Sequence, residues 1–186
     1  MIADEPLSPY KGLTPFEDSE HDVRFFFGRE RERALIEANL MASRLTVLYG
    51  ETGVGKSSVL RAGVAHHLRG VAEANLVARN EPGMAVVVFD AWRDDPLRAL
   101  RTAVADAVTQ ALGGSLRPPD DDVPLVDALR LWTSVLDGDI YVVLDQAEVV
   151  PEHVRYLGLE RVEFCERVLA DREQEVRGEV GRVYRG

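Results

Sequence analysis

A glycine-rich stretch carries the groups best suited to chemistry in this sequence. It fits the pattern G-x-x-x-x-G-K-[ST] and reads Gly50-Glu51-Thr52-Gly53-Val54-Gly55-Lys56-Ser57. Glycines in such a loop let successive N–H groups point inward at phosphate oxygens, and Lys56 can reach the β- and γ-phosphates of a nucleotide. The Ser57 hydroxyl can ligate Mg²⁺. The pattern therefore predicts a nucleotide-binding loop, with Ser58 completing the set of cofactor-binding residues.

The residues on either side of this loop predict the elements that position it. Leu45–Tyr49 is a short apolar run rich in strand-forming residues, and Ser57–Leu68 has helical periodicity. The predicted helix has one apolar stripe, made of Val59, Leu60, Gly63, Val64 and His67. A helix that begins at the loop adds free N–H groups and a partial positive charge for phosphate.

A second candidate ligand follows another apolar run. Ile140–Leu144 predicts a buried strand that ends at Asp145, about 90 residues after Lys56. An aspartate at the carboxyl end of such a strand holds the Mg²⁺ that bridges the β- and γ-phosphates. Glu148 is then the candidate catalytic base beside Lys56, although it could equally be a surface glutamate. Gln146 is the alternative residue for orienting the attacking water.

The order of predicted elements indicates the fold class. Strands and helices alternate after the loop, which predicts a layered α/β fold with a parallel sheet. Met84–Phe89 is apolar at every position, as expected of a central strand covered on both faces. The remaining predictions are helices over Arg29–Ala42, Pro96–Leu112 and Pro124–Leu136, and a mixed connection over Gly70–Gly83. Ala34, Leu35, Ala38 and Met41 form the predicted apolar side of the first of these helices.

Composition excludes several classes of protein. The 186 residues carry a net charge of −10, which argues against general nucleic-acid binding and against an anionic membrane surface. No apolar run is long enough to span a membrane, and residues 1–6 lack a signal-peptide pattern. The single cysteine, Cys165, excludes an internal disulfide. These features predict a cytoplasmic protein.

The N-terminal part leaves two interpretations open. Residues 1–27 are rich in proline and acids and predict an extended arm. The arm ends in Phe25–Phe27, followed by Gly28 and Arg29. The three aromatic side chains either fill part of the core or pack near the base of the bound nucleotide.

Four motifs in this order resemble the novel STAND NTPases, which are signal-transduction ATPases with numerous domains, related to AAA+ and NACHT modules. The motifs are SPYKGLTPF, FFFGRERE, LYGETGVGKSSVLRAG and YVVLDQAE, and the resemblance covers Ser8 to about Val150. It implies a P-loop NTPase three-layer sandwich that binds ATP and Mg²⁺, a nucleotide-controlled switch and a role in signalling or defence. It also implies that Phe27, Gly28 and Arg29 lie beside the adenine. Residues 28–150 would form this nucleotide-binding domain, and 151–186 a charged helical segment.

The sequence departs from the family pattern in two respects. Ala147 and Val149 replace an aromatic residue and a second acid after Asp145. After Val150 no strand is evident before residues 182–185, whereas the family has a further strand between the loop strand and the strand ending in aspartate. The sheet is therefore expected to be incomplete, through truncation or with the C-terminal segment filling the gap. In the family that strand carries a sensor of the γ-phosphate, and no residue here is recognisable in its role, so hydrolysis is expected to be slow or absent. The alternative is a non-enzymatic interaction module that binds a protein partner or a second copy of itself.

Overall fold

Two parallel strands form the sheet in the computed structural model, which describes residues 11, 12, 14–114, 119 and 123–146. Strands β1 (Met84–Phe89) and β2 (Asp139–Leu144) pair directly along their whole length, with Met84 opposite Asp139 and Phe89 opposite Leu144. Both strands lie where the apolar runs predict them. Because the register is parallel, the residues that follow the two strands meet at one edge of the sheet.

Helices make up most of the other described residues. The helix that follows the glycine-rich loop Gly50–Ser57, here called the P-loop helix after that motif, is continuous from Lys56 to Arg79. It has α-helical ends on either side of a π-helical stretch at Val59–Ala65. In chain order the α-helices are α1 (Glu20–Val23), α2 (Glu30–Ala42), α3 (Lys56–Ser58), α4 (His66–Arg79), α5 (Pro96–Ala111) and α6 (Leu125–Leu136). The helices predicted for α2, α5 and α6 are confirmed, with boundaries that differ by one residue.

Apolar residues cover both faces of β1. Its alternate residues Ala85, Val87 and Phe89 lie in one core cluster with side chains of α5 and α6, such as Val104 and Trp132. Val86 lies in a second cluster with the P-loop helix and α2. The prediction of a parallel strand buried on both faces is therefore confirmed, whereas its central position stays a prediction because the described sheet has two strands. The fold is mixed α/β with a two-stranded parallel sheet, and the complete P-loop sandwich stays a prediction.

The strand predicted before the P-loop is not formed. Residues 45–49 have no regular secondary structure, and the described part of the chain contains only the β1–β2 sheet. Leu45 and Val47 are 47% and 41% exposed, more than core residues would be. A strand exists only where a neighbouring strand completes its hydrogen bonds, so apolar, strand-forming residues do not make one alone.

The connection predicted over Gly70–Gly83 is also wrong, because helix α4 continues to Arg79. Gly70 costs only about 1 kcal/mol in a helix interior, and the residues after it include strong helix formers such as Ala72 and Leu76. The helix ends at Asn80, which has a left-handed backbone with φ 59°. Its length carries Asn75 to the start of β1, where it donates a hydrogen bond to the Pro82 carbonyl at 3.3 Å.

Helix α2 buries a different face from the one its periodicity predicts. Leu35 and Met41 are 64% and 60% exposed, and Ala34 and Ala38 are exposed as well. Ile36 is buried instead, against the P-loop helix and β1. The apolar stripe did not predict the buried face of α2, because burial depends on which side of the helix the neighbouring elements occupy. The P-loop helix follows its predicted stripe more closely, but His67 is exposed.

Residues 14–27, here called the N-terminal segment, lie along the P-loop helix. They are not extended throughout, because α1 (Glu20–Val23) interrupts them and is capped by the Ser19 hydroxyl. Buried Asp22 accepts hydrogen bonds from the Lys11 ammonium and from the Glu17 N–H. Asp18 pairs with His66 and with Arg69 of helix α4. These contacts fix the segment beside the loop that carries Lys56.

Candidate functional site

The glycine-rich loop turns sharply into the P-loop helix. Gly53 and Gly55 have φ values of 86° and 82°, a backbone conformation that residues other than glycine rarely adopt. Gly55 caps the helix, and its carbonyl accepts the N–H of Val59 at 3.0 Å. The Lys56 ammonium donates to the carbonyls of Gly50 and Glu51 at 2.8 and 3.1 Å. The positive charge therefore lies over the backbone that is predicted to hold phosphates.

The two predicted metal ligands lie together. The Ser57 hydroxyl donates to Oδ1 of Asp145 at 2.9 Å, across 88 residues of sequence. Asp145 is only 5% exposed. Its backbone N–H donates to the Phe89 carbonyl at 2.9 Å, and its own carbonyl accepts from the Trp92 indole at 2.7 Å. A hydroxyl and a carboxylate oxygen at a helix N-terminus are suitable ligands for Mg²⁺ beside phosphates.

Arg61 was not among the predicted site residues, yet it contacts Asp145 directly. Its Nε and Nη2 donate to Oδ2 of Asp145 at 3.0 and 2.8 Å. The same guanidinium reaches Glu17 at 2.9 Å and Asp90 at 2.6 Å. Burial lowers the pKa of Arg61, but the hydrogen bonds to Glu17, Asp145 and Asp90 outweigh burial, so the pKa is raised above its usual value.

Part of the cluster formed by Arg61, Glu17, Asp90 and Asp145 could be predicted from the sequence. Asp90 follows β1 as Asp145 follows β2, and the paired ends of the strands are Phe89 and Leu144. Two aspartates that follow neighbouring parallel strands are expected at the same sheet edge. Arg61 lies four residues after Ser57, one helical turn away. The contribution of Glu17 has no local signal, because it depends on how the N-terminal segment packs.

The turn at Gly28 and Arg29 also reaches the loop. Arg29 Nη1 donates to the Val54 carbonyl at 2.8 Å and to the Gly55 carbonyl at 3.4 Å. Gly28 has φ 84°, and its N–H donates to Glu30 at 3.0 Å. This bond and the N–H of Glu30 itself hold the pKa of the Glu30 carboxyl below its usual value.

The three consecutive phenylalanines have different surroundings. Phe26 packs against the cluster of the P-loop helix, where a Cβ on Gly63 would lie 3.1 Å from its ring. Phe27 is 74% exposed. A cavity of about 100 Å³ lies between Phe26 and the P-loop helix, lined by residues that include Arg29, Arg33 and Gly63 but not Phe27. Phe26 therefore follows the core interpretation, and the exposed ring of Phe27 leaves a contact with the base as a prediction.

Other predicted site residues are placed differently or lie outside the described residues. The buried Ser58 hydroxyl accepts the Phe16 N–H at 3.1 Å, so it joins the loop to the N-terminal segment. Gln146 has φ 55°, and its N–H bonds to Oδ1 of Asp145 at 3.0 Å. Glu148 and the segment 151–186 lie outside the described residues. In the described part of the chain, no three His, Cys, Asp or Glu residues group as a metal site, and no helix could cross a membrane.

A glycine-rich loop that leads into a helix, with a carboxylate at a strand end beside it, is the arrangement of an NTPase-like nucleotide-binding module. Comparison with protein families agrees, since the model of Novel STAND NTPase 1 matches residues 9–182. The chain belongs to this family. The match continues beyond Val150, where the motif resemblance ends. Neither the curated proteins nor the solved structures contain a match.

Proposed function

We propose that this chain binds ATP with Mg²⁺ and that the bound nucleotide switches its conformation, with slow or no hydrolysis. The observation that carries the proposal is the 2.9 Å contact between Ser57 Oγ and Asp145 Oδ1. It brings together the last residue of the loop motif and the strand-end carboxylate, the two ligands predicted for the metal. We also propose, from the family, a complete three-layer P-loop sandwich and a cytoplasmic location.

Different residues of the loop would contact different parts of the nucleotide and its metal ion. Backbone N–H groups of Gly53–Ser57 would donate to phosphate oxygens, and Lys56 would exchange its carbonyl partners for the β- and γ-phosphates. Ser57 and Asp145 would hold Mg²⁺, which neutralises charge on the phosphates when it is bound. We propose Glu148 as the base that takes the proton from water and Gln146 as the alternative for orienting that water.

The first test is ATP binding with and without Mg²⁺. We expect Asp145→Asn to reduce the gain in affinity that Mg²⁺ provides by roughly 10-fold or more, because a neutral amide is a poorer ligand than a carboxylate. Binding without Mg²⁺ should stay within about twofold, which calorimetry can resolve.

Asp139→Asn is the matched control, because it removes an exposed carboxylate from the opposite end of the same strand. It should leave both affinities unchanged. If the wild-type chain binds no ATP under either condition, the proposed function is wrong. An equal loss for Asp145→Asn with and without Mg²⁺ would assign Asp145 to folding instead.

The turn beside the loop provides a second test. We propose that exposed Phe27 contacts the base and that Arg29 supports the loop through the Val54 and Gly55 carbonyls. Phe27→Ala should lower ATP affinity about 5- to 10-fold, within the range for stacking of a base on an aromatic ring, and spare inorganic triphosphate. Arg29→Ala should lower affinity for both ligands. Competition with a fluorescent nucleotide measures both, with exposed Arg24→Ala as control.

Equal losses of ATP and triphosphate binding in Phe27→Ala would remove the base contact from the proposal. An unchanged triphosphate affinity in Arg29→Ala would show that the loop holds its shape without that guanidinium.

The alternative function is an interaction module without turnover. The exposed apolar face of α2, with Leu35 and Met41, supports it because such surfaces mark contact sites between proteins. A steady-state phosphate-release assay separates the two functions, since only an ATPase loses turnover in a Glu148→Gln variant.

A further inference from the structure

Arg61 is nearly buried among carboxylates that come from three parts of the chain. Its side chain is 11% exposed, and its partners are Glu17 of the N-terminal segment, Asp90 after β1 and Asp145 after β2. Arginine has five N–H donors in a fixed planar fork, so it can bind several acids at once in a defined geometry. The three acids hold the guanidinium in one place.

The two oxygens of Asp145 have separate partners. Oδ2 accepts both Arg61 bonds, at 3.0 and 2.8 Å. Oδ1 accepts the Ser57 hydroxyl at 2.9 Å and the Gln146 N–H at 3.0 Å. Arg61 therefore occupies one oxygen of the carboxylate and leaves the other facing Ser57, at the position predicted for the metal. A carboxylate without this contact could rotate about its terminal torsion, which is soft.

We propose that Arg61 is the positioning residue of the metal-binding carboxylate, holding Asp145 so that Oδ1 faces Ser57. This inference rests on the proposed function. Groups that orient a metal ligand without touching the metal are commonly worth 10- to 100-fold in metal affinity. Arg61 also joins Asp145 to Glu17, so the N-terminal segment helps to fix the same carboxylate.

The test compares Arg61→Gln with Arg69→Gln. Both variants remove one arginine of the P-loop helix and one contact with the N-terminal segment, but Arg69 binds Asp18 and the Val86 carbonyl and makes no contact with Asp145. We expect Arg61→Gln to reduce the gain in ATP affinity from Mg²⁺ by roughly 10- to 100-fold and to leave binding without Mg²⁺ nearly unchanged. Arg69→Gln should retain the gain. Arg61→Lys restores the positive charge but not the planar guanidinium, so it should recover only part of the gain in ATP affinity from Mg²⁺.

A second measurement, by NMR, needs no nucleotide. The Gln146 N–H donates to Oδ1 of Asp145 at 3.0 Å, so its amide resonance reports on the orientation of that carboxylate. The Trp132 indole N–H is an internal reference, since it lies in the core and has no hydrogen-bond partner among the described residues. We expect Arg61→Gln to shift the Gln146 signal and not the Trp132 signal, whereas Arg69→Gln should shift neither.

The outcomes distinguish this inference from the proposed function. If wild type gains no ATP affinity from Mg²⁺, metal binding in the proposed function is wrong, and the Gln146 signal alone then decides whether Arg61 holds Asp145. An unmoved Gln146 signal in folded Arg61→Gln overturns the inference. Equal effects of Arg61→Gln and Arg69→Gln on the Mg²⁺ gain also overturn it, because they would reflect general loss of structure.

Discussion

Lys56→Ala is expected to lower ATP affinity by roughly 100-fold, with little change in the stability of the fold. A hydrogen bond to a charged group contributes about 1.5–3 kcal/mol, and the ammonium would face both the β- and the γ-phosphate. In the structure its partners are two backbone carbonyls of the loop, Gly50 and Glu51, at an exposed position. Calorimetry with ATP and Mg²⁺ measures the loss, and circular dichroism checks folding.

Arg24→Ala is the charge-matched control, because it also removes one positive charge. Arg24 is exposed and pairs with Glu20 of α1, so its removal touches neither the loop nor the buried Asp22. ATP affinity should then stay within about twofold. A Lys56→Ala variant that binds ATP as tightly as wild type would contradict the assignment of the loop.

Gly138→Ala is expected to destabilise the fold by about 3 kcal/mol or more, the upper end of the range for overpacking. A Cβ at this position would lie 2.1 Å from the Gly83 carbonyl oxygen and 2.4 Å from its carbon. These are backbone atoms, so no side chain can rotate to make room. The adjacent Asp139 N–H donates to the same Gly83 carbonyl at 3.1 Å. The clash would therefore separate the strands where their pairing begins.

Urea unfolding followed by circular dichroism measures the effect of Gly138→Ala. Gly70→Ala is the control, since a Cβ there would meet none of the described residues within 4 Å and alanine favours the helix by about 0.5–1 kcal/mol over glycine. Gly70→Ala should be neutral or stabilising. If Gly138→Ala unfolds at the wild-type urea concentration, the close approach of the strands is not a feature of the folded chain.

Local sequence patterns predicted the elements that depend mainly on their own residues, such as β1 and the start of α5. Met84–Phe89 is apolar at every position, and the structure buries both of its faces. Pro96 marks the start of α5 because its fixed φ suits the first turn of a helix. The contact between Ser57 and Asp145 could also be expected. Loops that bind phosphate lie at the carboxyl ends of parallel strands, and Asp145 follows the carboxyl end of β2.

The features that were missed depend on contacts distant in sequence. Leu45–Tyr49 has the composition of a strand, but pairing depends on another segment, and the described residues supply none. The exposed stripe of α2 shows the same dependence, because Leu35 is apolar but faces away from the core. Arg61 could be placed near Ser57 by helical spacing. Its bond to Glu17 could not, because no periodicity relates residues 44 positions apart.

The π-helical stretch Val59–Ala65 gives the P-loop helix one place where a change in length can be absorbed. Five of its seven residues are buried, between the glycine-rich loop and α4. A π-turn closes each hydrogen bond one residue later than an α-turn, so deleting one residue here would restore α-helical bonding and leave the later side chains close to their present orientation. Deleting His67 from α4 would instead turn all later side chains by about 100° about the helix axis. Leu68 and Ala72 would then leave the core, and Arg69 would leave Asp18.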